Sequence, residues 1–98
     1  MRTWTGVIRT ADRDVYRDYI VETGLSGYKS TAGNIDAWMV YRDRGDGTTE
    51  VVTLSLWESR AAIEGFAGRD IDRAVFYPED DRYLIDRDLF VRHYDVVA

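Results

Sequence analysis

The residues with the clearest potential for chemistry lie in one short segment, Ala74–Leu84 (AVFYPEDDRYL). Phe76 and Tyr77 precede the only proline of the chain, and the three acids Glu79–Asp81 follow it. Such a cluster could bind a metal ion or supply an acid/base pair. However, adjacent residues on a helical turn point in different directions, so these side chains cannot converge on one ion. The pattern therefore predicts a solvated first turn of a helix, whose acids complement the helix dipole.

His93 is the only histidine of the chain, and histidine is the usual proton acceptor in catalysis near neutral pH. In the predicted last strand it shares a face with Leu89, Val91 and Asp95. One interpretation makes His93 a base that deprotonates a phenol. The alternative, favoured for a lone histidine, is a side chain that is hydrogen-bonded at the sheet edge or at a dimer interface.

Aromatic residues are abundant, since the chain has 3 Trp, 7 Tyr and 3 Phe among 98 residues. Trp and Tyr carry a polar atom that needs a partner when buried, so they suit a half-polar cavity better than a dry core. The candidates for lining a ligand pocket are Trp38, Trp57, Phe66, Phe76, Tyr77 and Tyr83. The alternative is a role in the core alone, and the pocket role is favoured for Trp57 and Tyr77.

Composition limits the classes of protein to which the chain can belong. A length of 98 residues predicts a single domain, 1–98, with a modest core that oligomerisation would reinforce. The absence of cysteine excludes disulfides and thiolate metal sites, and with one histidine we expect no metal or other cofactor. A net charge of −5 argues against nucleic acid or an anionic membrane as a partner. No transmembrane run or signal peptide is apparent, so we expect a cytoplasmic protein.

Hydrophobic periodicity predicts the order β-α-β-β-α-β. The predicted elements are a strand at Thr3–Arg9, a helix at Asp12–Thr23, strands at Ile35–Arg42 and Thr48–Trp57, a helix at Arg60–Ala67 and a strand at Leu89–Val97. This order is typical of the ferredoxin-like α+β fold, which has a four-stranded antiparallel sheet with its helices on one face.

Local residue types predict where these elements end. Gly24 is placed to end the first helix, and the following residues through Asn34 have the composition of a loop. The pair Asp46–Gly47 predicts a hairpin turn between the second and third strands. Ser59 is a suitable N-cap for the second helix, and Gly68 is placed to end it.

Neither face of the predicted hairpin is cleanly polar. Trp38 and Val40 share one face of the second strand, while Ile35, Ala37, Met39 and Tyr41 share the other. A sheet face of this kind needs a cover, so we expect a homodimer in which two sheets pack face to face. On the third strand, Val51, Thr53, Ser55 and Trp57 place hydroxyls beside a large aromatic. That mixture is typical of a ligand cavity, although hydroxyls that bond locally in an ordinary core are an equal alternative.

From the third strand into the second helix the chain reads Leu54–Phe66 (LSLWESRAAIEGF). This segment resembles the strand–Trp–Glu/Asp–Ser/Thr–helix region of the antibiotic biosynthesis monooxygenase family, whose members are small dimeric α+β barrel proteins. The segments GYKSTAGN and GRDIDRAVFYPEDDRYL also fit, so the resemblance covers essentially the whole chain. It implies a subunit that pairs sheet to sheet and has a cavity between its sheet and its helices.

The family includes cofactor-independent oxygenases of electron-rich polycyclic aromatics, haem-degrading enzymes and proteins without known activity. Haem-degrading members have Asn on strand one, Trp in helix two and a haem-ligating His later. Here strand one has no Asn, Phe66 takes the helix position, and Phe76 or Tyr77 stands in the later segment. Quinone-forming members have Asn four residues before the strand-three Trp. Here Trp57 is kept and Thr53 replaces that Asn, which weakens the expected oxyanion donor.

The resemblance and the aromatic residues lead to a first hypothesis, a monooxygenase without flavin or metal that acts on a planar, electron-rich aromatic such as a polyketide phenol. In this hypothesis His93 is the base, Thr53 donates to the developing oxyanion, and the ring lies between Trp57 and a wall of Phe76 and Tyr77. A second hypothesis is a non-catalytic small-ligand-binding or accessory protein on the same scaffold. A haem protein is a third, which the missing residues disfavour.

Overall fold

The computed structural model describes residues 1–98. Its strands and helices are β1 Arg2–Arg9, α1 Arg13–Ile20, α2 Ser26–Ser30, β2 Asn34–Asp43, β3 Thr48–Trp57, α3 Arg60–Ala67, α4 Asp80–Tyr83, β4 Leu84–Arg87 and β5 Arg92–His93. A 3-10 turn, Thr10–Asp12, precedes α1, and a π-helical turn, Val21–Leu25, joins α1 to α2. None of the helices is long and apolar enough to cross a bilayer.

The sheet has the strand order β2-β3-β1-β4, and β5 also pairs with β1. All of these pairings are antiparallel. This order confirms the ferredoxin-like α+β fold. Alternation along β1 and β3 places every second side chain against the helices, and those positions are buried while their neighbours are partly exposed.

Local sequence patterns correctly predicted the hairpin and the second helix. The hairpin loop between β2 and β3 has Gly47 at a φ of 85°, and the Asp46 carboxylate accepts the backbone N–H of Thr48 at 2.9 Å. At the start of α3 the Ser59 hydroxyl accepts the N–H of Ala62 at 3.1 Å. The helix ends at Gly68, whose φ is 80°. Positive φ is the conformation for which glycine is suited, so each of these ends is set locally.

The prediction that Gly24 ends the first helix is wrong, because the chain continues through the π-helical turn and α2. Gly24 is not among the residues with positive φ. The Thr23 hydroxyl donates to the Tyr19 carbonyl at 2.8 Å, a back-bond that is typical of bent helices. Tyr28 is only 6% exposed. Burial of its ring in the core outweighs the loop-like composition of the segment.

The predicted last strand, Leu89–Val97, is also wrong over most of its length. Gly6 pairs with Arg87 and Arg2 pairs with His93, so β4 and β5 are separated by residues that bulge out of the sheet edge. The bulge is hydrogen-bonded elsewhere. The N–H of Ala74 donates to the Leu89 carbonyl at 3.0 Å, and the N–H of Val91 donates to the Asp72 carbonyl at 2.7 Å. These bonds satisfy the backbone groups that a continuous strand would have paired with β1.

The helix-facing side of the sheet carries two groups of buried side chains. The larger consists of Trp4, Ile8, Tyr16, Ile20, Val51, Tyr83, Leu84 and Val91. The smaller consists of Tyr28, Ala37, Trp57 and Ile63. Ile35, which was expected to share the inward face of Ala37, is 57% exposed because the register of β2 shifts between Asn34 and Asp36. On the outward face, Trp38 and Val40 are 43% and 50% exposed.

Replacing Ser59 with alanine removes the cap of α3 and leaves the N–H of Ala62 without its partner. We expect a loss of about 1 kcal/mol in the free energy of unfolding, measured by urea denaturation. The matched control is Ser26→Ala, since Ser26 is exposed and makes no side-chain hydrogen bond at the start of α2. Equal effects of the two substitutions would contradict the capping role.

Candidate functional site

A cleft lies between the helix-facing side of the sheet and the segment that precedes α4. Ten of its fourteen lining residues are hydrophobic. Six of these ten are aromatic: Trp4, Tyr16, Tyr28, Phe66, Phe76 and Tyr77. The four remaining lining residues are Arg2, Gly24, Thr53 and Asp80. An apolar cleft with a few polar groups is the usual form of a small-molecule site.

The cleft is narrow. It contains about 410 Å³ of space including its open mouth, but the centre of a water molecule can occupy only about 30 Å³ of it. The first volume is within the range of ligand pockets, whereas the second holds only one or two water molecules. A bound ring therefore requires an outward shift of the wall. Tyr77 and Phe66 belong to that wall, and both pack closely against Gly27. A Cβ atom added to Gly27 would lie only 2.6 Å from the Tyr77 hydroxyl.

The first polar group in the cleft is the Arg2 cluster, defined as Arg2, Tyr28 and Thr53. The guanidinium of Arg2 donates to the carbonyl of Arg73 at 2.8 Å and reaches the Tyr28 hydroxyl at 3.5 Å. The Tyr28 hydroxyl lies 3.3 Å from the Thr53 hydroxyl. The guanidinium also lies 5.6 Å from the centre of the Phe66 ring. Three donor groups and an aromatic face therefore meet at this part of the cleft.

Arg2 is only 2% exposed. Burial lowers the pKa of its guanidinium, while the Tyr28 hydroxyl acts in the opposite direction. An arginine side chain nevertheless remains charged in proteins. The interior of this small protein therefore contains a positive charge.

The second polar group is the Asp80 cluster, defined as Asp80 and Tyr16. One oxygen of the Asp80 carboxyl accepts the N–H of Tyr77 at 2.6 Å. The other oxygen, Oδ1, is buried without a hydrogen-bond partner, and so is the hydroxyl of Tyr16. Buried polar atoms are nearly always paired in proteins, so two orphaned atoms beside one cleft indicate groups that a ligand or water would satisfy.

The surroundings of this cluster shift the pKa values of both Asp80 and Tyr16. Burial raises the pKa of the Asp80 carboxyl, against the opposing effects of the Tyr77 N–H and of Arg87. Burial, together with the nearby Asp80 charge, raises the pKa of the Tyr16 hydroxyl. A carboxyl with a raised pKa in a cleft is the kind of group that acts as a general acid or base.

The prediction of three solvated acids is therefore wrong for one of them. Asp80 is 4% exposed, whereas Glu79 and Asp81 are exposed. No group of three or more His, Cys, Asp or Glu side chains is arranged to hold a metal ion. The helical phase of α4 explains the difference, since Asp80 and the buried Tyr83 are three residues apart on one side of the turn.

Four of the residues predicted for the site line the cleft: Thr53, Phe66, Phe76 and Tyr77. Trp38 does not, because it projects from the opposite face of the sheet. Tyr83 is buried beside the cleft, with its ring 5.7 Å from that of Tyr16 and 5.5 Å from that of Tyr19. Neither Trp38 nor Tyr83 is among the residues that line the cleft.

Two of the residues assigned to catalysis also lie outside the cleft. The Trp57 indole donates to the Ser55 hydroxyl at 2.8 Å and packs behind Tyr28 and Phe66. His93 lies 3.0 Å from the Asp72 carboxylate. Both line a separate open groove near the chain termini. His93 pairs with Arg2 at the end of β1, beyond the bulge between β4 and β5.

The two charged residues of the cleft are Arg2, which sequence reasoning missed, and Asp80, which it assigned to a solvated helical turn. Strand alternation could have found the first, because Arg2 has the same parity on β1 as the buried Trp4 and Ile8. Helical spacing could have found the second, because Asp80 precedes Tyr83 by three residues. In both cases the expectation that charged side chains are solvated outweighed the periodicity.

The fold is similar to that of a protein with a known crystal structure, a putative antibiotic biosynthesis monooxygenase from Bacillus cereus. The TM-score is 0.64 with 18% sequence identity, and the match covers 99% of this chain and 93% of that chain. This chain has an antibiotic biosynthesis monooxygenase-like fold. No family model matches the sequence, and no curated protein matches it. At this identity the comparison shows that the two proteins share a fold.

Replacing Asp80 with asparagine should change how stability depends on pH. Because the folded-state pKa of Asp80 is raised, its favourable contribution is present below the unfolded-state pKa and is lost as pH rises through the folded-state pKa. Asparagine keeps an oxygen for the Tyr77 N–H and never ionises. The stability of Asp80→Asn relative to the original protein should therefore increase between pH 3.5 and pH 7, as measured by thermal unfolding.

The control for this measurement is Asp81→Asn, because the Asp81 side chain is 88% exposed and pairs with Arg87. Its stability relative to the original protein should not increase over the same range. If the difference in stability between Asp80→Asn and the original protein is the same at every pH, the result would contradict the burial of a titrating carboxyl at Asp80.

Proposed function

We propose that the protein is a cofactor-independent monooxygenase of the antibiotic biosynthesis monooxygenase type, and that it oxidises a planar, electron-rich phenol in the cleft. The observation that supports this most directly is an aromatic-walled cleft that contains a buried carboxyl with an unpaired oxygen. The fold supports the same conclusion because the similar protein from Bacillus cereus is described as a putative monooxygenase.

The reaction needs only the phenol and O2. Loss of the phenol proton gives a phenolate, which transfers one electron to O2, and the resulting radical pair forms a C–O bond at a ring carbon. The hydroperoxide then loses water to give a quinone. One O2 is consumed, one oxygen atom enters the product, and the other leaves as water. A site that excludes water and orients the ring favours these steps.

In this proposal Asp80 accepts the phenol proton. Its raised pKa makes it a better base for a weak acid than a solvated carboxylate, because proton transfer is most efficient when the two pKa values approach each other. The Tyr16 hydroxyl, which has no partner in the protein, donates a hydrogen bond to the phenolate. These roles replace the ones expected for His93 and Trp57. The Thr53 hydroxyl is instead part of the Arg2 cluster.

A non-catalytic ligand-binding protein is the second candidate, and the narrowness of the cleft favours it. A wall that must move to admit a ring is suited to enclosing a metabolite that leaves unaltered. The haem alternative has less support, since no histidine lines the cleft.

We propose further that the protein is a homodimer in which two sheets pack face to face. The outward faces of β2 and β3 align Trp38 with Leu54 and Val40 with Val52 across the pair. This apolar surface is partly exposed in the isolated chain. A second subunit that packs its own sheet face to face on this surface would bury these side chains.

The catalytic proposal is tested by oxygen consumption with anthrone and 1-naphthol, with the quinone product identified by its absorption. We expect turnover by the original protein and a loss of about 100-fold in kcat for Asp80→Asn, because a general base typically contributes at least this factor. The control is Asp81→Asn, which removes an equal charge from the residue next to Asp80; this variant should keep the activity of the original protein. Turnover that is unchanged in Asp80→Asn would refute the assignment, and tight binding of a probe without turnover would favour the binding protein.

The dimer is tested by sedimentation velocity at micromolar concentration. Val40→Arg places a charge on the outward sheet face, so we expect it to convert a dimer to a monomer. Val15→Arg is the matched control, since Val15 on α1 is 47% exposed and Val40 is 50% exposed. A monomeric original protein, or a Val40→Arg variant that remains dimeric, would contradict the face-to-face arrangement.

A further inference from the structure

The guanidinium of Arg2 is buried without an anionic partner. No carboxylate oxygen lies within 4.0 Å of it, and its hydrogen bonds go to backbone carbonyls and a hydroxyl. Of these bonds only the one to the Arg73 carbonyl, at 2.8 Å, is short. A guanidinium has five N–H donors, so part of its capacity is unused. A buried charge in this condition is costly unless something else in the site compensates it.

The acid whose charge acts on Arg2, Asp72, is engaged elsewhere. Asp72 raises the pKa of Arg2 through its charge but is a weaker influence than Tyr28. Its side chain is 67% exposed and lies 3.0 Å from His93. Asp80 also lines the cleft but makes no ion pair with Arg2. The protein therefore holds a positive charge at the cleft without neutralising it.

We infer that the Arg2 cluster binds the carboxylate of the ligand, so that the molecule taken up is an aromatic carboxylic acid. This inference deepens the proposed function, on which its reference to a phenol substrate rests. The planar guanidinium matches a carboxylate, and the hydroxyls of Tyr28 and Thr53 add two further donors near it.

A singly charged anion fits the cleft better than a phosphate. Arg2 is the only cationic residue that lines it, and most of the remaining wall is hydrophobic. A second negative charge would have no partner there and would be costly to bury. The Phe66 ring beside the guanidinium continues the aromatic wall, so an aryl group attached to the carboxylate can lie against it.

The two clusters then divide the substrate between them. A carboxylate on Arg2 orients the ring, and a hydroxyl elsewhere on the ring is left for Asp80 and Tyr16. In this arrangement the substrate carboxylate neutralises the charge of Arg2, and Asp80 accepts the phenol proton. The substrate class is accordingly a hydroxylated aryl carboxylate.

The experiment compares 2-naphthoate with its neutral isostere 2-naphthamide by isothermal titration calorimetry at pH 7.5. We expect the original protein to bind the carboxylate at least tenfold more tightly. Arg2→Met should remove this preference, and Arg2→Lys should retain part of it. Arg73→Met is the control, because it removes an arginine whose side chain is 66% exposed and retains the backbone carbonyl that accepts from Arg2; it should keep the preference.

Equal binding of the two probes by the original protein would overturn the inference, and that result depends on no variant. A preference that persists in folded Arg2→Met or is lost in Arg73→Met would also overturn it, with circular dichroism used to check folding. If Arg2→Met does not fold, Arg2→Lys carries the comparison. We then expect the carboxylate preference of Arg2→Lys to be smaller than that of Arg73→Met, and equal preferences in these two variants would count against the site.

Failure of the oxygenase proposal is distinguishable from failure of this inference. Oxygen uptake is measured in parallel with 5-hydroxy-2-naphthoate, whose hydroxyl and carboxylate lie on different rings, and with 1-naphthol. A carboxylate preference in binding without oxygen uptake would leave the inference standing and refute the catalytic proposal. Oxygen uptake with 1-naphthol, together with equal binding of the naphthoate and naphthamide probes, would refute the inference alone.

Discussion

The architecture depends on the inward face of the central strand β1, where Gly6 leaves room for the large side chain of Trp4. A Cβ on Gly6 would lie 2.5 Å from the Trp4 ring, so glycine is required for the indole to lie flat against the strand. The indole N–H of Trp4 donates to the Asp88 carbonyl at 2.8 Å and thereby holds the bulge between β4 and β5. Arg2, at the end of the same face, holds the carbonyl of Arg73. Through these contacts one strand positions both irregular segments that enclose the cleft.

The cleft follows from this arrangement. Rings from the sheet, the helices and the loops enclose a narrow gap. Among them, Trp4 on β1 and Phe76 pack edge to face, with ring centres 6.2 Å apart. A gap of this kind is a loss of packing for so small a protein. The charged groups that border it, Arg2 and Asp80, add the cost of burial. Two unfavourable features at one place are typical of a functional site, where stability is exchanged for chemistry.

Much of the fold could be predicted because the responsible interactions are local. The cap at Ser59 and the turn at Gly47 act over three or four residues, and alternation within β3 separates its two faces without reference to any other strand. The errors arose where distant contacts prevailed. Burial of Tyr28 extended the first helix beyond Gly24, and pairing with residues 72–74 interrupted the last strand. The similarity to a known structure at 18% identity is consistent with a fold that depends on such patterns more than on particular residues.

By itself, therefore, the sequence determined the order of the first five predicted elements, β-α-β-β-α, most of the inward face of the hairpin and the wealth of aromatic side chains, because periodicity and capping are properties of neighbouring residues. Only the tertiary structure decided which side chains share the cleft. It removed Trp57 and His93 from the candidate site and introduced Arg2 and Asp80. The physical reason is that burial of a charge depends on segments far apart in the chain: β1 approaches residues 71–73 and α4 packs against α1, and no local pattern encodes either approach.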